Sequence, residues 1–181
     1  MFPNLNRDLD RLGQEGRPPS WRRLLEAALF DNGFQAVVIY RLARWFRVKR
    51  VPLLPPLLAR WGTFVTGAEI SPGAEIGPGL KISHGVGLVV GGYAKVGQDA
   101  LLLHGATIGS PSSSRVREMP VIGDRVFLGA NAAVIGAVTL GDDVKVGANA
   151  VVTRDLPSGI RVRAAEAVLV EPGPPGATAT V

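Results

Sequence analysis

Cysteine is absent from this chain of 181 residues. Disulfides, thiolate zinc sites and a cysteine nucleophile are therefore excluded together, and a reducing compartment, the cytoplasm, is the expected setting. Histidine is nearly absent as well, since only His84 and His104 occur. Long apolar runs are missing: the longest, Val51 to Ala59, carries three prolines and falls far short of a membrane span. The opening residues, MFPNLNRDLD, lack the basic-then-apolar order of a secretion signal, and a soluble protein is expected. Aromatic residues make up only 6 % and hardly interleave with basic ones beyond residue 60, so nucleic acid is not an expected partner despite a net charge of +5. The positive charge concentrates in residues 17–60, which suits an anionic ligand or a membrane surface equally well.

The length suits one compact unit with a small appendage. Residues 1–19 are polar and rich in Pro, Gly and charge, and read as a flexible arm. Residues 20–60 form a helical segment. SWRRLLEAALFDNG offers Ser20 as N-cap, an apolar set at Leu24, Leu25, Ala28 and Leu29, and a closing turn signal at Asp31-Asn32-Gly33. FQAVVIYRLARWF follows with Phe34, Val37, Val38, Leu42 and Trp45 at helical spacing and three arginines leaning the other way. A packed helix with a solvated basic face is the preferred reading there. VPLLPPLLARW reads as an irregular connector, because proline removes backbone donors, with peripheral membrane contact through this basic, apolar segment as the lesser reading.

From Phe64 the texture changes. Apolar residues return every six positions in three series: Phe64 to Ile82, Val90 to Ile108, and Ile122 to Val152. Glycine often follows, and the fifth place is usually small or β-branched, as at Ala74, Ala94, Ala106 and Val126. This is the period of a parallel β-helix built from hexapeptides, three to a coil, with coils stacked at about 4.8 Å. The fold class is therefore mainly β, with the β-helix domain at 61–160 and a cap and tail at 161–181. Two interruptions stand out, because a solenoid expels extra residues as loops. Two residues are inserted between Ile82 and Val90, and eight between Ile108 and Ile122, giving a loop at 109–121.

His84 and His104 each hold the third place of a hexad, and those hexads lie one coil apart. The two side chains are thus expected to stack on adjacent layers of one prism face. An imidazole with an ordinary pKa near 6.5 is suited to take a proton from a hydroxyl at neutral pH. A zinc site would need a third ligand beyond these two histidines, so no metal is expected. Glu69, one coil earlier, reads as a solvated corner residue or as the carboxylate that orients the His84 ring.

With these residues in hand, the chain resembles the serine acetyltransferase family of hexapeptide acyltransferases over about residues 33–160. The segments GFQAVVIYRLARW, AEISPGAEIGPGLKISHGVGLVVGGYAKVG and VIGDRVFLGANAAVIGAVTLGDDVKVGANAVVTRDLP carry the likeness. The resemblance implies a left-handed parallel β-helix assembling as a homotrimer, with acetyl-CoA as co-substrate between neighbouring prisms. It puts the catalytic histidine at His84 and the supporting acid at Glu69. It puts cofactor contacts at Gly129, Ala130, Gly147 and Ala148, with Lys145 nearby. The acceptor would be a small hydroxyl compound, L-serine first. Ser83, beside the catalytic position, and Glu118-Met119, in the long loop, depart from the family's serine-reading pattern, and His104 stands where the family usually has glutamine. Ser83 and His104 are the candidate acceptor-binding residues, and a sugar, a polysaccharide precursor or another metabolite is the alternative acceptor. A metal-dependent lyase on the same scaffold and a non-catalytic binding solenoid are the readings from other classes.

Overall fold

The computed structural model describes residues 2–12 and 19–165. Four helices come first: α1 (Phe2–Asp10), α2 (Trp21–Phe30), α3 (Asn32–Val48) and α4 (Leu54–Thr66). No described helix is long and apolar enough to cross a membrane.

Helix α1 corrects the reading of a flexible arm, although residues 13–18 of that arm lie outside the described residues. Its anchor is far away in sequence. Asp8 is buried and accepts hydrogen bonds from Arg41 Nε at 2.8 Å, from Arg41 Nη2 at 3.0 Å and from the Leu80 amide at 2.8 Å. Arg41 spends its remaining donors on the carbonyls of Ile76 and Gly77, both at 2.6 Å. A buried charge pair is tolerated when its lone pairs and protons are satisfied in this way. No local periodicity announces such a partnership.

Helix α2 starts as expected, with the Ser20 hydroxyl accepting from the Arg23 amide. Asp31 ends it and begins α3, its carboxylate accepting from the Phe34 amide at 3.0 Å. The connector expected at 51–61 is instead mostly α4. Pro55 and Pro56 fall in its first turn, where an amide has no helical acceptor to lose, and the first helical bond runs from the Leu57 amide to the Leu53 carbonyl. The helix stops at Gly67, which takes the left-handed conformation at φ +72°. Phe64 therefore belongs to α4, not to the first hexad, and the β-helix begins at Glu69 instead of 61.

Among the described residues fourteen short strands follow, in three parallel sheets. The first sheet holds β1 (Glu69–Ile70), β4 (Val89–Val90), β7 (Thr107–Gly109), β10 (Ala133–Ile135) and β13 (Val151–Val152). The second holds β2 (Glu75–Ile76), β5 (Lys95–Val96), β8 (Val121–Ile122) and β11 (Thr139–Leu140). The third holds β3 (Lys81–Ser83), β6 (Leu101–Leu103), β9 (Phe127–Leu128), β12 (Lys145–Val146) and β14 (Arg161–Val162). The β-helix with three strands to a coil is thus the observed architecture. The hexad residues pair in register, Ile82 with Leu102 and Leu102 with Leu128, and all point inward. Leu156 adds a bridge to Leu140 and, with β14, completes a fifth coil. The rest of the expected C-terminal tail, 166–181, lies outside the described residues.

The interior is a column of aliphatic side chains with alanines where the corners leave least room, and Ala74, Ala94, Ala100 and Ala106 are fully buried. Helix α3 seals the first coil. A Cβ placed on Gly33 would sit 2.2 Å from the Ile82 carbonyl oxygen, so only glycine lets the start of α3 press against β3.

Candidate active site

The edge of the prism where the third sheet turns into the first gathers most of the residues singled out from the sequence. His84 follows β3, His104 follows β6, Gly129-Ala130 follows β9 and Gly147-Ala148 follows β12. Backbone bonds tie these turns into one column. Asn131 donates to the His104 carbonyl at 2.9 Å, and Asn149 donates to the Ala130 carbonyl at 2.8 Å. The stacking expected of the two histidines is observed, with ring centroids 6.5 Å apart and ring planes at 73°. Both side chains are exposed at this edge and available to a ligand.

The slip in the repeat has a local geometric result. At this edge the ordinary turns place the left-handed residue fourth in the hexad, at Gly105, Asn131 and Asn149. In the slipped coil it falls one place earlier, on His84 itself, at φ +54°. A non-glycine residue in that region is uncommon and is tolerated where the surroundings fix it. Gly87, at φ +76°, absorbs the second inserted residue, its amide donating to the Gly67 carbonyl at 2.8 Å. The insertion thus moves the left-handed position of the turn onto His84.

The His84 side chain borders an open cleft of about 560 Å³ between the end of α2 and β3. Arg23, Glu26 and Phe30 line it from the helix, and Lys81, Ser83 and His84 from the strand and turn. Glu26 is engaged by Arg22 at 3.2 Å. Arg23 and Lys81 were not singled out by sequence reasoning. Nothing in the spacing shows that α2 lies over β3; only the outward register of Lys81, one place before the buried Ile82, was available as a signal.

Other expected members stand apart. Glu69 opens β1, pairs with Val89 and is exposed; among the described residues its carboxylate makes no hydrogen bond or ion pair, to His84 or otherwise. Lys145 lies on the outer face of β12, between Phe127 and Arg161. Loop 109–121 leaves the prism at the edge between the first and second sheets, a different edge from that of His84. Within it Glu118 accepts from Arg115 at 3.2 Å, and Met119 packs against Gly91. Glu118-Met119 and His84 are therefore not brought together within one chain.

Electrostatic perturbation lies at the neighbouring edge. The Arg125 guanidinium holds Asp143 in a two-pronged ion pair at 2.8 and 2.7 Å, which keeps that carboxyl below the usual carboxylate range. Hydrogen bonding from Arg7 does the same for Asp99.

Comparison with known proteins places this architecture. Residues 121–154 match the family described as hexapeptide repeat of succinyl-transferase. Across 164 residues the chain is 41 % identical to the serine acetyltransferase of Helicobacter pylori strain J99, covering 91 % of this chain and 95 % of that one. The chain belongs to the serine acetyltransferase family. A second serine acetyltransferase, from Synechococcus elongatus, is 40 % identical over 162 residues, but this chain spans only 66 % of its length. Among solved structures, the serine acetyltransferase of Brucella abortus strain S19 in complex with coenzyme A superimposes with a TM-score of 0.80 at 29 % identity, over 91 % of this chain and 65 % of that one. Against serine acetyltransferases of this longer kind, the present chain corresponds to about two thirds of the polypeptide.

Proposed function

We propose that this protein is an acetyl-CoA-dependent O-acetyltransferase with His84 as general base and L-serine as its first acceptor. The observation that supports it best is the turn at His84: an exposed imidazole in a left-handed turn, beside a second imidazole and at the mouth of a cleft. The acceptor hydroxyl gives its proton to a His84 ring nitrogen as its oxygen attacks the thioester carbonyl. The tetrahedral intermediate then collapses, the carbon–sulfur bond breaks, and the imidazolium returns the proton to the departing thiolate. Glu69 would orient and stabilise that imidazolium once the site is assembled.

Coenzyme A would lie along Gly129-Ala130 and Gly147-Ala148, where small residues leave the backbone open to the pantetheine, with Lys145 toward its phosphates. The site would be completed in a homotrimer, in which a neighbouring chain brings its own surface to this edge. The solved relative bound to coenzyme A supports the cofactor assignment by fold and family.

A second acceptor class has its own support. Ser83 is a neutral neighbour for His84, and the cleft offers Lys81 and Arg23. A sugar or other hydroxyl metabolite is that alternative acceptor. Glu26 is engaged by Arg22 and Arg23, and Asp31 caps α3, whereas among the described residues Lys81 makes no ion pair and is open to an acceptor. The test is thiol release from acetyl-CoA with L-serine and with a panel of sugars and sugar phosphates. Acceptor-dependent release that disappears in His84→Ala supports the proposal. Release that no acceptor stimulates, or that His84→Ala leaves at the wild-type rate, ends it.

A further inference from the structure

Large apolar side chains are most exposed on the helices, away from the β-helix core. Phe64 is 88 % exposed, Phe30 84 %, Trp21 77 % and Leu53 75 %. Leu57 and Trp61 continue the stripe on α4 at helical spacing toward Phe64, and both are more than half exposed. Between α2, α3 and α4 lies an apolar groove of about 390 Å³, lined by Val38, Leu42, Leu58, Trp61 and Val65 among others. Contiguous apolar surface of this kind on a water-facing protein marks a place of contact.

The charge around it says with what. From Asn32 to Ala68 there is no aspartate or glutamate, while that stretch holds five arginines and one lysine. Arg41 and Arg44 are used inward, on Asp8 and Glu75. Arg47, Lys49, Arg50 and Arg60 are exposed, and among the described residues none of the four is paired with a carboxylate. The acids at α2 are engaged, Glu26 by Arg22 at 3.2 Å and Asp31 by the Phe34 amide. Residues 32–68 combine tryptophan, phenylalanine and leucine with arginine and lysine and hold no acid, the composition of a surface that settles into the headgroup layer of an anionic membrane. A second copy is a poorer occupant. A two-fold contact would set these cations against their own counterparts, and α3 and α4 have no acid to answer them.

We propose that the exposed face of α2 and α4, with the cations at the end of α3, docks on an anionic lipid bilayer. The sequence favoured a solvated basic face for this segment; the exposed stripe on α4, hidden while 51–61 read as an irregular connector, shifts the balance. Phe30 belongs both to this face and to the lining of the cleft beside His84, so a docked bilayer would lie at the cleft mouth.

The test is co-sedimentation of the full chain at low salt with vesicles of phosphatidylcholine alone and of phosphatidylcholine mixed with phosphatidylglycerol. Binding is expected to the mixed vesicles and not to the neutral ones. Arg50→Gln with Arg60→Gln should weaken it roughly thirtyfold, since each cation near such a surface contributes about 1 kcal/mol. Trp61→Ser with Phe64→Ser should abolish it while circular dichroism stays unchanged, both side chains being mainly in solvent. No sedimentation with the mixed vesicles overturns the proposal, as does full binding by both double variants. It also falls if light scattering shows an assembly that Trp61→Ser with Phe64→Ser halves in mass, because the face would then be pairing with its own copy.

Discussion

The imidazole of His84 meets that of His104 edge to face across one coil, 6.5 Å between centroids, although twenty residues separate them in the chain. Of the two, only His84 takes the left-handed conformation of the slipped turn, which marks it as the general base and leaves His104 to the acceptor. His84→Ala is expected to lower kcat by about two to four orders of magnitude, the usual contribution of a general base. His104→Ala should act mainly on KM for the acceptor. Steady-state kinetics with the acceptor varied at saturating acetyl-CoA separates the two.

Gly33→Ala should damage stability and activity together. The added methyl group would meet the Ile82 carbonyl at 2.2 Å, and that carbonyl is backbone of the strand leading into His84. Neither side can yield without moving α3 or β3. A fall in Tm accompanied by a fall in kcat is expected, and thermal melts beside steady-state kinetics check it.

The Asp8–Arg41 pair predicts an asymmetry between breaking and replacing. Asp8→Ala leaves the guanidinium buried with its charge uncompensated and the Nε and Nη2 donors facing no carboxylate, and should cost about 3–5 kcal/mol. Asp8→Leu with Arg41→Met removes both charges and should cost less than Asp8→Ala alone. Urea denaturation of the three proteins checks the order.

Asp99 gives a pH dependence. Its carboxyl is held below the usual range chiefly by hydrogen bonding from Arg7. A group whose folded-state pKa is depressed stabilises the fold at pH values above its unfolded pKa, and that contribution is lost as pH falls through the folded value. Stability should therefore decline below about pH 4. Arg7→Gln should flatten this acid limb while leaving the region near pH 7 less affected, as thermal melts across pH will show; Arg7 is half exposed, so the effect will shrink with added salt.

The β-helix was legible because its rule is strictly local. Each hexad declares its inward residue, and Ile70, Ile76, Ile82 and Val90 are buried as the period requires. The stacking of His84 on His104 followed from the same arithmetic. What escaped was set by contacts distant in sequence. Helix α1 exists through Asp8 reaching Arg41, and no pattern within residues 1–19 records that. Helix α4 was obscured by prolines whose cost depends on where the helix starts, and Leu53 as its first acceptor could not be read from composition. Arg23 and Lys81 share a cleft only because Gly33 lets α3 lie on β3.

That closeness gives the solenoid a direction. Coils of a β-helix are stabilised mainly by their neighbours, so an array protects its amides according to how well each end is sealed. Here the first coil is held by α3 and α4, and by α1 through Asp8 on the Leu80 amide, whereas beyond the fifth the described chain adds no further strand. Amide hydrogens should therefore exchange in a gradient, fastest around β13 and β14 and slowest around β3. The turn at Gly147-Ala148 would open before the turn at His84, and partial unfolding would loosen the far end of the edge while its histidines remain set.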